Sequence, residues 1–105
     1  MMTRVNMQVA LEEKIEQTRL RVKAKKGLRD AVRVGIYEVG RRIFAAIDST
    51  TAYEVKGEKL MQLSQEEYEK YIRPFHCLQA SYEFKVLTEK ELNTLLGLFS
   101  ELAKE

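Results

Sequence analysis

The 105-residue chain holds one cysteine, Cys77, one histidine, His76, and one proline, Pro74. A lone cysteine excludes an internal disulfide framework. One histidine and one cysteine cannot supply the four ligands of a structural zinc site within one chain. The two are adjacent, and neighbours on a helix point about 100° apart. The thiol therefore has no base placed to activate it. Cys77 reads as a small buried hydrophobe and His76 as a boundary residue.

No apolar run approaches the roughly 18 residues of a membrane span. The opening MMTRVNMQVALEEK reaches glutamine and acids too early for a secretory signal. With one cysteine and no export signal, a reducing cytoplasm is the expected compartment. Neither a Pro/Gly/Ser-rich linker nor a low-complexity segment divides the chain, so one domain over 1–105 is expected.

Catalytic signatures are missing too. There is no P-loop, dinucleotide fingerprint or GxSxG elbow. KKGLRD has one glycine and lacks the pattern of a phosphate-cradling loop. The acid pairs Glu12/Glu16 and Glu66/Glu69 have Lys and Arg neighbours and read as solvated helix surface. An enzyme, a metal or a cofactor is not expected.

What is present is the composition of a folded protein, 45% hydrophobic and 32% charged. The net charge of +2 is unevenly spread. Residues 1–42 carry eleven Lys/Arg against five acids, and residues 43–105 carry seven against eleven. Either the halves pack with complementary charge, or the basic half faces an acidic partner.

Residues 5–24 read as a helix with Leu11, Ile15, Thr18 and Val22 on one stripe. Gly27 stops it in a left-handed conformation. Residues 28–47 read as a second helix, with Leu28, Val32, Ile36, Val39, Ile43 and Ile47 on one stripe. Gly35 and Gly40 each cost such a helix about 1 kcal/mol relative to alanine. Residues 52–63 fit a short β-hairpin around Gly57 or a poor helix. LSQEEY and LTEKEL each carry a capping box, Ser64 with Glu67 and Thr88 with Glu91. Pro74 closes or kinks the helix from 65 to 73. Residues 75–84 fit a short helix, with a strand through SYEFKV as the rival. A final helix covers 89–104, with Leu92, Leu95, Leu96, Phe99 and Leu102 on one face. The expected fold is mainly α: a small bundle of four to five helices, with one short hairpin near 53–63.

Function rests on two features. In residues 19–42, nine Lys/Arg stand against two acids, Asp30 and Glu38. Arg21, Lys25, Arg29, Arg33, Tyr37 and Arg41 recur every four residues, with Lys26 beside them. Arginine grips phosphate with paired hydrogen bonds, and a tyrosine among arginines is placed to stack on a base. That makes Arg21, Lys25, Lys26, Arg29, Arg33, Tyr37 and Arg41 candidate DNA or RNA contacts. The plainer alternative is a solvated helix face that pairs with the chain's own acidic half.

The second feature is apolar surplus. Val34, Phe44 and Leu98 fall off the main stripes and are expected at an interface or homodimer seam. The expectation is a non-enzymatic protein-interaction or regulatory module that self-associates. The alternative is a nucleic-acid-binding protein using residues 19–42. Closure of the apolar residues into one core would weaken the first reading. Convergence of the basic residues would strengthen the second.

Overall fold

A computed structural model describes residues 3–75 and 86–104. Its elements in chain order are α1 (Arg4–Lys26), α2 (Leu28–Ala31), β1 (Gly35–Val39), β2 (Arg42–Ala46), β3 (Ala52–Lys56) and β4 (Lys59–Gln62), then α3 (Gln65–Tyr71), a 3₁₀ turn (Arg73–Phe75) and α4 (Glu89–Ala103). The four strands form one antiparallel sheet in the order β1-β2-β3-β4. This is an α+β fold, which corrects the expected mainly helical bundle. Residues 76–85, His76 and Cys77 among them, lie outside the described residues, and with them most of the short helix expected over 75–84 and its rival strand.

The error sits in residues 28–47. The second helix ends after one turn at Ala31, and the chain then enters the hairpin β1–β2. β2 is apolar on both faces because it is covered on both. Ile43 and Ala45 belong to one core cluster, Phe44 and Ala46 to another. A doubly covered strand loses the alternation that marks a half-buried one. What remained mimicked a helical stripe.

Two glycines set the hairpin turns. Gly40 (φ +63°) and Gly57 (φ +60°) each sit first in a two-residue loop, and no non-glycine among the described residues has positive φ. That is the type II′ pattern, whose twist suits the flanking strands. The β3–β4 hairpin around Gly57 is thus present, joined to a larger sheet. The register pairs Tyr37 with Phe44, Ala46 with Ala52, and Val55 with Leu60.

Helices cover both faces of the sheet. On one, α1 and α4 contribute Met7, Leu11, Ile15, Leu92, Leu95 and Phe99 against Ile36, Ile43 and Val55. The stripe expected on the first helix is the buried one, and Thr18 within it is satisfied by Lys14 O at 2.8 Å and Phe99 O at 3.4 Å. Thr18 meets Phe99 and Arg21 meets Leu102, so α1 and α4 run in the same direction. On the other face, Tyr68 and Ile72 pack with Tyr37, Phe44, Ala46, Ala52 and Leu63.

Both capping boxes form. Ser64 Oγ accepts the Glu67 amide at 3.2 Å while Glu67 accepts the Ser64 amide at 3.0 Å. Thr88 and Glu91 do the same at 3.2 and 2.9 Å. The hydrophobic residues before each cap, Leu63 and Leu87, are buried as staples require. Gly27 ends α1 with φ +100°, its amide reaching Lys23 O at 3.1 Å.

Candidate nucleic-acid interface

The loop between β2 and β3, residues 47–51, lies beside the junction of α1 and α2, with Lys26 on Asp48 and Ser49 sharing a cleft with Arg29 and Asp30. Its centre is Asp48, buried at 7% exposure. Asp48 Oδ1 accepts from the Thr50 amide (2.9 Å), the Thr51 amide (2.8 Å) and the Thr50 hydroxyl (3.1 Å). Oδ2 takes Lys26 Nζ at 2.6 Å. The loop's backbone is held as well, because the Tyr68 hydroxyl donates to Asp48 O at 3.1 Å. Burial works against the Asp48 charge, yet the Lys26 bond and the two amides outweigh it and hold the carboxyl below its usual range. The same bond raises Lys26.

This arrangement predicts a pH dependence. The folded-state pKa of Asp48 is depressed, so its contribution is fully present above the unfolded carboxylate value of about 3.9. It is lost as pH falls through the lower folded value. Asp48→Asn is expected to destabilise by about 1–3 kcal/mol at neutral pH, the cost of a charged hydrogen-bond partner. The gap to the wild type should shrink in urea unfolding near pH 2.5. An equal gap at both pH values would assign the loss to packing instead of charge.

A cleft opens on each side of this loop. One, of about 320 Å³, has Arg21, Lys25 and Lys104 on its walls with Asp48 and Glu101. The other, of about 360 Å³, has Arg29, Arg33 and Arg73 with Asp30, Ser49 and Glu69. Lys26 stands between them on Asp48. Together they make a basic band of seven cationic and four acidic side chains across one end of the molecule.

Three of the four acids are already engaged within the band. Asp48 holds Lys26, Glu69 holds Arg73 at 2.5 Å, and Glu101 holds Lys104 at 3.0 Å. Arg21 donates to the Leu102 carbonyl and makes no ion pair among the described residues. Lys25 and Arg29 are exposed and make no ion pair among the described residues.

Five of the seven predicted contacts, Arg21, Lys25, Lys26, Arg29 and Arg33, therefore converge. They do so by folding back around the loop, not by lining one helix. Tyr37 and Arg41 do not join them, since beyond Ala31 the chain is no longer helical. Tyr37 is buried with its hydroxyl on Arg33 O at 3.0 Å, so its ring serves packing instead of stacking on a base. Burial also raises its pKa. Arg41 lies in the β1–β2 turn, at the other end of the sheet.

Arg73 and Lys104 were missed. Each is an isolated cation in the acidic half, and only the fold carries it to the band. The neighbouring Arg42 is occupied elsewhere. It grips Glu54 with two hydrogen bonds of 3.0 and 2.8 Å and lies 4.4 Å over the Tyr71 ring. Hydrogen bonding to Glu54 raises its pKa further.

The predicted interface residues are not a surface. Val34 and Phe44 are fully buried, and Leu98 packs against the larger core cluster. Apolar residues do remain outward at Val5, Val9 and Leu20 on α1 and at Leu28 and Val32 after it. Among the described residues, no group of three His, Cys, Asp or Glu is placed to hold a metal ion. None of the described helices is long and apolar enough to cross a membrane. No protein-family model, curated protein or solved structure matches the chain.

Proposed function

We propose that the chain is a non-catalytic, cytoplasmic nucleic-acid-binding module that holds the phosphate backbone across its basic band. The observation that carries this is convergence. Cations from α1, α2, the 3₁₀ turn and the end of α4 meet around one rigid loop. Seven cations stand against four acids there, so the band keeps a positive surplus. Such a surplus gains affinity by releasing counterions from phosphates.

Recognition is then of the backbone and not of sequence. Tyr37, the only aromatic among the predicted contacts, is buried. With no aromatic ring among the described residues that line the band, little there discriminates one base from another. The rival reading, a self-associating interaction module, loses two of its three named residues to the core.

A salt-titrated binding assay with mixed-sequence DNA and RNA oligomers, single- and double-stranded, tests the proposal. About four neutralised phosphates give a log–log salt slope near −3 to −4. That slope, with similar affinity across sequences, is expected. Absence of binding at low salt would overturn the proposal and turn attention to a protein partner or a second copy.

A further inference from the structure

We infer that the outward face of α1 is a docking surface for a second copy of this chain, with the two α1 helices packed antiparallel. The inference goes beyond the nucleic-acid reading and does not depend on it. The surface is not the seam expected at Val34, Phe44 and Leu98, which belong to the core.

At 100° per residue, Val5, Val9, Glu13, Glu16, Leu20 and Lys23 fall on the side of α1 opposite its buried stripe of Met7, Leu11, Ile15 and Thr18. All six are exposed. Val5 and Leu20 are 66% and 65% exposed, so they are not the rim of the core. From Val9 to Lys23 the spacing is 4, 3, 4 and 3, the repeat with which one helix seats along another.

Charge decides what occupies this face. Its N-terminal half carries Glu13 and Glu16, and its C-terminal half carries Lys23. Glu16 is engaged by Arg19 at 2.5 Å. Glu13 and Lys23 make no ion pair among the described residues. A parallel second copy would set Glu13 against Glu13 and Lys23 against Lys23. An antiparallel copy sets each Glu13 against the partner's Lys23, twice over about a two-fold axis. The same reversal lays Val5 and Val9 along the half that carries Leu20. One helix thus holds both members of each contact, as a self-complementary surface requires.

The basic band stays free in such a pair. Arg21 and Lys25, two residues before and after Lys23, project about 160° away from it around the helix. Antiparallel packing puts the C-terminal ends of the two α1 helices, and with them the two bands, at opposite ends of the pair. The contact is weak, because few apolar side chains and two exposed ion pairs carry it. Added salt should weaken it further.

The test is sedimentation equilibrium of the full chain without nucleic acid, at low salt and up to millimolar concentration. The mass is expected to rise with concentration from one chain towards two. Glu13→Lys and Lys23→Glu each exchange two attractions for two repulsions and should weaken the dimer about tenfold or more. The double variant E13K/K23E restores both pairs and should recover the wild-type strength. An equimolar mixture of the two single variants should also associate, since one copy then carries two lysines and the other two glutamates. Both side chains are exposed, and helical circular dichroism confirms that each variant folds. A single-chain mass at millimolar concentration would overturn the inference and leave the nucleic-acid reading standing. A dimer that neither reversal weakens, or one that the double variant does not restore, would overturn it as well and assign association to another surface.

Discussion

Phe44→Ala is expected to destabilise the protein by about 3–5 kcal/mol, the usual cost of truncating a buried phenylalanine. Phe44 is fully buried at the centre of the smaller core cluster. Its ring stacks on Tyr71 at 5.5 Å, with the Arg42 guanidinium 5.1 Å from its centre. The loss matters more because the layer it anchors is thin. α3 has seven residues, too few to be stable alone, and is held by Tyr68, Ile72 and Tyr71 against the sheet. A domain of this size is commonly stable by only about 5–15 kcal/mol. The variant should therefore show a much lower urea midpoint, with amide exchange in α3 accelerated before that in α1 and α4. A midpoint within a few tenths of a kcal/mol of the wild type would mean that α3 closes over the vacancy and that this layer contributes little. Loss of α3 protection without a change in midpoint would mean that it opens independently.

The larger core cluster was legible because its helices have one wet face. Leu11, Ile15 and Thr18 on α1, and Leu92, Leu95 and Phe99 on α4, follow helical spacing with polar residues between them. The capping boxes were legible for a local reason, since each is a four-residue hydrogen-bonding unit that needs no tertiary contact. The sheet was not, and Phe44 shows why. It lies between Ile43 and Ala45, which face the opposite way, and all three are buried. Burial on both faces erases the two-residue period, and the β-branched Val32, Val34, Ile36, Val39 and Ile43 carried the remaining signal. Gly40 was the better clue. Its cost in a helix was visible, and VGRR is a hairpin turn with glycine at the position that type II′ geometry demands. Had the turn been read, Val34 and Phe44 would have been placed in a core. For the basic band, local sequence showed the cations from Arg21 to Arg33 but not what aligns them. That depends on Asp48, 22 residues beyond the Lys26 it holds, and on Arg73 and Lys104, which approach only in the folded chain.

Lys25→Glu combined with Arg29→Glu should weaken nucleic-acid binding by about 50-fold or more near 0.1 M salt, because each lost phosphate contact forfeits about 0.9 of a log unit there. Repulsion between the new carboxylates and the backbone adds to that loss. The pair is chosen for what it leaves intact. Both side chains are exposed and make no ion pair among the described residues, so the fold should be spared. Lys26 is a poorer choice, because removing it would strip the buried Asp48 of its cation and confuse binding with stability. The two positions also lie on opposite sides of the β2–β3 loop, Lys25 in one cleft and Arg29 in the other. If the strand crosses both, the salt slope should fall by about two. If it uses one cleft only, the slope should fall by about one, and the single variants will show which. An unchanged thermal midpoint with unchanged affinity would remove the band from nucleic-acid contact. The convergence of its cations would then be the chain's means of holding the ends of α1 and α4 and the β2–β3 loop together.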